Sequence, residues 1–475
     1  MAQLEFVQIA PHSIERFRPL LGDDFVRIEA AADRARERFA GRAIWHVSST
    51  LLGGGVAEML HSLLPYVRDA GVDTRWVVLH ERAEFFTLTK RLHNNLHGHD
   101  GDGEPLGAAE RELYAGTLAA SAEQLSPLLQ QGDIVFLHDP QTAGLAGAAK
   151  AAGAQVVWRC HIGADRPNEI VRTAWDFLAP YVRLADNYVF SRREYVWDVL
   201  DRERSWAVAP CIDSFSPKNQ EMEPDTVAGI VATIGLGEGA PQQAPTFDRA
   251  DGTPGRVERR AEVRQDAPLP AGATAVAQIS RWDRLKDHRG LLDCFERHLG
   301  GEDLHLVLAG PATAAVSDDP EGAAVWQDVC SAWEALEPGV RRRVHLVSLP
   351  MDDADENATM VNALQRRADI VVQKSLAEGF GLTVAEAMWK RRPVIGSRVG
   401  GIQDQIVDGL SGILIDEPDD LEQLAGAITA LAGDRRRAAA IGEAARQRVF
   451  DRFLAANRLV EYAQLLGGTD SGNEA

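Results

Sequence analysis

KSLAEGFGLTVAEAMWKRR, residues 374–392, is the stretch that decides the fold. It follows DIVVQ (369–373), a short apolar run that predicts a buried parallel strand. Glu378-Gly379-Phe380-Gly381 makes a glycine-bearing turn, and Leu382 and Thr383 open a helix. A strand, a glycine turn and a helix N-terminus together make a phosphate site. Free backbone N–H groups and the positive end of the helix dipole point at it, and glycine lets the ligand approach the backbone. Glu378 and Glu386, eight residues apart, bracket the turn. Carboxylates repel phosphate, so their expected partners are hydroxyl groups, which donate well to them. The pattern predicts a ligand with phosphate and sugar parts. An ordinary strand–loop–helix unit with Glu386 on a solvated face is the competing interpretation.

Outward from this stretch, 475 residues are long for one core and predict two domains with trimmings. A net charge of −20 argues against a general binder of nucleic acid or anionic membrane. A site for a phosphate-bearing ligand then needs its own local Arg and Lys. Cys160, Cys211, Cys294 and Cys330 are widely spaced and form no CxxC pair, which predicts reduced, mostly buried thiols rather than disulfides or zinc ligands. The N-terminus carries charges too early for a secretory signal, and no apolar run approaches the ~20 residues of a membrane span. The expectation is a soluble cytoplasmic protein.

Residues 1–42 are expected to be an extension ahead of the first domain. The first strand is AIWHVS (43–48), followed by Gly53-Gly54-Gly55 and a helix with Val56, Met59, Leu60, Leu63, Leu64 and Val67 on one face. Pro65 should kink this helix and Gly71 should stop it. The triple glycine is not a dinucleotide fingerprint, because Glu58 stands where its third glycine belongs. Further strands at 76–79, 133–137, 155–159, 187–190 and 206–209 alternate with helices and predict a parallel sheet with both faces covered. Two strand ends carry histidine, His138 and His161; for His138 a core role is about equally expected. His93, His97 and His99 fall in or beside a polar loop and are expected to be solvated rather than metal ligands. Residues 218–270 are rich in Gly, Pro and Gln and predict a linker and insertion, part helix (225–234) and part mobile loop. The second domain opens with TAVAQI (274–279), with further strands at 304–309, 344–349, 369–373, 393–396 and 412–415. The acidic run at 351–355 is expected to cap a helix or face solvent rather than bind metal.

The Glu378 and Glu386 spacing resembles the E-x7-E signature of retaining GT-B glycosyltransferases of family 4, and the resemblance covers about residues 43–465. Three stretches are similar to trehalose glycosyltransferring synthases and the related trehalose phosphorylases: VSSTLLGGGVAEMLHSLLPYVRDAGVDTRWVV (47–78), VVWRCHIG (156–163) and VNALQRRADIVVQKSLAEGFGLTVAEAMW (361–389). The resemblance implies an α/β GT-B fold, two Rossmann-like domains facing a cleft. Its implied domains are 43–217 for the acceptor and 271–445 for the nucleotide sugar, with 446–475 returning to the first. It implies transfer of glucose from a nucleoside-diphosphate glucose to glucose. Arg281 and Lys286 would neutralise the diphosphate and Lys374 would touch it, with Gly379, Phe380, Gly381, Leu382 and Thr383 around the donor. Glu386 would hold ribose, and Glu378 and His161 the sugar. Gly53, Gly54 and Gly55 would close over phosphates or acceptor. No metal or other cofactor is implied. The partners are a nucleotide sugar and a small sugar acceptor, with a homodimer allowed. A phosphorylase using glucose 1-phosphate, a nucleotide-sugar epimerase and a non-catalytic sensor share parts of this pattern.

Overall fold

Apolar runs, each three to eight residues long, become the parallel strands of two sheets because helices cover both faces. The computed structural model describes residues 3–51, 55–239, 243–313 and 321–466. Contacts divide the chain into two units, Met1–Cys211 with Leu454–Ala475, and Ile212–Phe453. Among the described residues no helix is long and apolar enough to cross a membrane.

The strands of the first unit are β1 (Gln3–Val7), β2 (Ile44–Ser48), β3 (Thr74–His80), β4 (Ile134–His138), β5 (Gln155–Cys160), β6 (Asn187–Phe190) and β7 (Ser205–Ala207). Their order is β1-β3-β2-β4-β5-β6-β7. All neighbours are parallel except β1, which runs antiparallel to β3 from Gln3 opposite His80 to Val7 opposite Trp76. Residues 1–42 are therefore not an extension ahead of the fold. They supply an edge strand and the helix Val26–Arg38, which packs on the helix Ala455–Leu466. The helix Gly55–Asp69 buries Met59, Leu60, Leu63 and Leu64 as its periodicity requires. It runs unbroken through Pro65 and ends just before Gly71, whose φ of +84° suits glycine.

The second unit holds β10 (Glu262–Arg264), β11 (Thr274–Ile279), β12 (Leu304–Pro311), β13 (Val344–Leu349), β14 (Ile370–Gln373), β15 (Val394–Ser397) and β16 (Ile413–Ile415), ordered β10-β13-β12-β11-β14-β15-β16. Only β10 is antiparallel to its neighbour. Ahead of them lies a hairpin, β8 (Thr246–Asp248) with β9 (Pro254–Arg256). The segment expected as a linker and mobile loop is instead tied to this unit, apart from residues 240–242, which lie outside the described residues. Arg249 makes two hydrogen bonds of 2.9 and 2.7 Å to Asp353, and the buried Glu356 accepts from the backbone of Glu258 and Arg259. These charged clamps replace the apolar burial that the segment lacks. Asp353 also caps the helix Ala354–Arg367, which accounts for the acidic run.

In both sheets the strand order reverses beside the first parallel strand, between β2 and β4 and between β11 and β14. Ligands of open α/β sheets bind outside the carboxyl ends of the strands at such switch points.

Asp133 fixes the start of β2 against β4. Its buried carboxylate accepts from the Ala43 amide at 2.9 Å, the Trp45 indole at 3.0 Å and the Gln130 amide at 3.0 Å. Asp133→Ala leaves two buried donors unpaired, the Ala43 amide and the Trp45 indole, and should destabilise the chain by about 2 kcal/mol or more. Urea denaturation followed by circular dichroism measures this; an unchanged midpoint would refute it.

Candidate active site

The second unit gathers its charged groups at the β11/β14 switch point. The turns after the two strands are stitched together before any charge is considered. The Lys374 amide donates to Gln278 Oε1 (3.1 Å), Gln278 Nε2 to the Lys286 carbonyl (2.7 Å), and the Leu376 amide to the Leu285 carbonyl (2.8 Å). Two ion pairs then cross between the turns. Lys286 Nζ pairs with Glu378 Oε2, and Lys374 Nζ with Asp287 Oδ2. Ser375 Oγ also donates to Glu378, at 3.2 Å. Asp287 adopts the left-handed conformation, φ 50° and ψ 50°, and accepts from the Gly290 amide to cap the helix His288–His298.

Lys374 was expected at the donor phosphates. Its side chain is buried, and its ammonium pairs with Asp287. Arg281 lies on the β11 turn with 27 % of its side chain exposed, and its Nη2 is 4.0 Å from Asp283 Oδ2. It is the more accessible cation, since Lys286 keeps only 16 % exposure.

Gly381, at φ 83°, opens the helix Leu382–Trp389, and no side chain caps that terminus. The Gly379 carbonyl accepts from the Gly401 amide at 3.2 Å, which brings the 400–401 glycine turn against the same loop. A Cβ on Gly401 would lie 2.6 Å from Phe380 Cα. Phe380 and Leu382 are buried; the Phe380 ring packs on Phe453 at 5.7 Å, and its carbonyl accepts from Gln405 at 2.6 Å. They shape the turn from below. Thr383 Oγ1 donates to Gln373 Oε1 at 3.0 Å.

Glu386 is not on a solvated face. It is buried in the second turn of the helix, with Gln365 Nε2 at 3.3 Å and Lys218 Nζ at 3.4 Å. Behind it Lys390 Nζ donates to Asn219 Oδ1 (2.9 Å) and the Glu386 carbonyl (3.1 Å), and burial holds this amine well below its usual pKa. Sequence reasoning missed Lys218, Gln365 and Asp287. Lys218 sat at the edge of a presumed linker, where nothing in the local pattern marks it.

In the first unit the ends of β4 and β5 bring together His138, Asp139, Arg159 and His161. Gly53 and Gly54 lie outside the described residues; Gly55 is the exposed first residue of its helix. His138 is a buried group, 3.1 Å from His46 Nδ1 through its Nε2 and stacked 6.0 Å from His161. Arg159 Nε donates to His161 Nε2 at 3.0 Å. A guanidinium can only donate, so Nε2 must be the lone-pair nitrogen and the neutral ring carries its proton on Nδ1. That nitrogen faces Ser191 Oγ at 3.2 Å. Burial, reinforced by the Arg159 charge, holds His161 well below the usual histidine pKa. Asp139, at φ 60°, accepts from the His161 amide at 2.7 Å, and burial pushes its carboxyl up to about 7. His97, expected to be solvated, is buried, its Nδ1 2.9 Å from the Gly163 carbonyl.

Comparison with known proteins agrees with this geometry. Residues 46–197 match the family profile of the trehalose synthase N-terminal domain, and residues 259–448 match that of glycosyl transferases group 1. A trehalose synthase of Rubrobacter xylanophilus is 33 % identical over 90 % of this chain and 92 % of its own. One of Pyrococcus horikoshii is 32 % identical over 95 % of both. A trehalose phosphorylase of Pleurotus sajor-caju is 26 % identical over 83 % of this chain, which spans 53 % of that protein. In structure, an α,α-trehalose-phosphate synthase (UDP-forming) from Burkholderia vietnamiensis covers 90 % of the chain and 99 % of its own at 16 % identity, with a TM-score of 0.64. Anabaena HepE in complex with UDP-glucose covers the same shares at 14–15 % identity across its structures, with a TM-score of 0.58 in that complex. The fold is GT-B, with two Rossmann-like units, and the protein is a hexosyltransferase of trehalose metabolism. The chain belongs to the trehalose synthase family of group 1 glycosyl transferases.

Proposed function

We propose that this enzyme transfers glucose from a nucleoside-diphosphate glucose to glucose, with retention, to form trehalose. The observation that carries the proposal is the Lys286–Glu378 ion pair at the β11/β14 switch point, beside an uncapped helix N-terminus and Arg281. A diphosphate there meets Arg281, Lys286 and the N–H groups following Gly381, and these offset the charge that grows as it leaves. Once phosphate takes over the Lys286 ammonium, Glu378 is left to accept sugar hydroxyls. Glu386, beside Lys218, would take the ribose. The neutral His161, carrying a proton on Nδ1, would donate to a sugar oxygen in place of Ser191. It would not act as a base, because its other nitrogen is occupied by Arg159.

Retention follows if the acceptor attacks on the face from which the diphosphate departs. The leaving phosphate then takes the acceptor proton, and Glu378 stays a hydrogen-bond partner rather than a nucleophile. The cationic side chains and helix end supply the charge stabilisation, so this scheme requires no metal. Four buried cysteines outside any disulfide suit a reducing compartment, in keeping with a cytoplasmic enzyme.

A phosphorylase would use glucose 1-phosphate and leave Glu386 without a ribose. Coverage favours the synthase: the chain spans over nine-tenths of the synthases compared and about half of the phosphorylase. Product analysis separates the two. With ADP-glucose or UDP-glucose, release of nucleoside diphosphate should depend on added glucose and yield a non-reducing disaccharide. Disaccharide from glucose 1-phosphate alone would move the assignment to the phosphorylase.

Arg281→Ala should lower turnover by about 100-fold or more, the scale of losing one preorganised donor to developing charge, with the thermal midpoint nearly unchanged. Unaltered turnover would remove Arg281 from the phosphate. Nitrogen-15 NMR of the imidazoles should show His161 neutral and protonated on Nδ1 between pH 6 and 8. A proton on Nε2 would contradict its hydrogen bond from Arg159.

A further inference from the structure

The second unit begins at Ile212, and the stretch that follows is held in place by buried side-chain donors. Asn362 Nδ2 donates to the Pro217 carbonyl at 3.0 Å and to the Gln220 carbonyl at 2.9 Å. Arg366 Nη2 donates to the same Gln220 carbonyl at 2.9 Å, and the Trp389 indole donates to the Asn219 carbonyl at 3.2 Å. Asn362 and Arg366 lie on the helix Ala354–Arg367, and Trp389 ends the helix Leu382–Trp389. Lys390, the next residue, holds the Asn219 side chain. The backbone is thus fixed on both sides of Lys218, by the helix that carries Gln365 and the helix that carries Glu386. The carboxyl group of Glu386 lies between these two side chains, with Lys218 on Oε1 and Gln365 on Oε2. Their distances, 3.4 and 3.3 Å, exceed the about 2.9–3.0 Å of a well-formed N–H···O bond. The Lys218 side chain is 18 % exposed and that of Glu386 only 2 %. A ligand that reaches this carboxylate from water therefore meets the ammonium with it.

We propose that Lys218 is a ribose-binding residue that works together with Glu386. An ammonium only donates and a carboxylate only accepts. A hydroxyl does both. A ribose hydroxyl accepts from Lys218 and donates to Glu386, and so joins two groups that stand too far apart for a good bond of their own. The neighbouring amine cannot take this part, because Lys390 Nζ is directed at the Asn219 amide oxygen and the Glu386 carbonyl. The pair is selective for a nucleotide that carries ribose hydroxyls. The inference rests on Glu386 as the ribose partner and adds the cation that shares the ligand with it.

Titration calorimetry on the full chain tests it, with ADP, UDP and the 2′,3′-dideoxy form of each as probes. Whichever nucleotide binds should lose about tenfold or more in affinity when its ribose hydroxyls are removed, the scale of a hydrogen bond to a charged group. Lys218→Met keeps most of the hydrocarbon stem and removes the ammonium. It should weaken the ribose nucleotide about tenfold and leave the dideoxy nucleotide within about twofold, because the two changes remove one shared interaction. Equal weakening of both forms would place Lys218 at the phosphates or in the scaffold and overturn the proposal. Unchanged affinity for both would overturn it as well. If the unaltered chain binds the ribose and dideoxy forms equally, the ribose role of Glu386 falls, and the proposal with it. Should Lys218→Met not fold, Lys218→Gln, which shortens the side chain and removes its charge, is put through the same comparison.

Discussion

Two ion pairs, Lys286 with Glu378 and Lys374 with Asp287, hold the second unit's site in shape. They join turns about ninety residues apart in the chain, and each turn contributes one cation to one pair and one anion to the other. The groups are mostly withdrawn from water, so removing any one of them takes the counter-charge from a largely buried partner, a loss of about 3–5 kcal/mol. That mutual dependence is stricter than packing. Hydrocarbon tolerates small shifts, whereas a carboxylate–ammonium pair held away from water does not.

The two units divide the electrostatic labour. The second unit presents cations and a helix end, which suit a charged diphosphate. The first keeps its strand-end imidazoles neutral: burial lowers the pKa of His46, His138 and His161. Neutral donors and acceptors suit sugar hydroxyls, which carry no charge to be balanced.

Much of this was legible in the sequence, and the exceptions have physical causes. Parallel strands buried on both faces announce themselves as apolar runs, so β11, β13 and β6 were found to the residue. The antiparallel edge strands β1 and β10 were not, because an edge strand buries one face and its short run carries little apolar signal. The turn at Glu378 could be recognised because strand, glycine and helix are contiguous. What holds its partner Glu386 could not, since Lys218 lies far away in sequence within a segment of linker-like composition. That segment is ordered by Arg249 and Arg259 on the acidic residues Asp353 and Glu356. Composition counts the apolar area such a stretch can bury; it does not record which charges it will meet. Likewise the sequence presents His161 at a strand end, but the nitrogen that bears its proton is decided by Arg159, whose side chain must lie on the same side of the sheet.

The first unit is discontinuous: its helix Ala455–Leu466 arrives only after the whole of the second unit. That helix packs on Val26–Arg38 and sets Tyr462 against Phe136 and the Arg159 guanidinium. On the ribosome, the earlier-made half must therefore wait with its β2–β4 face uncovered until the chain has emerged through Leu466. The later-made half, continuous from Ile212 to Phe453, can close first. The usual order, in which the amino-terminal domain finishes before the next begins, does not suit a first unit whose helix Ala455–Leu466 is made after the second.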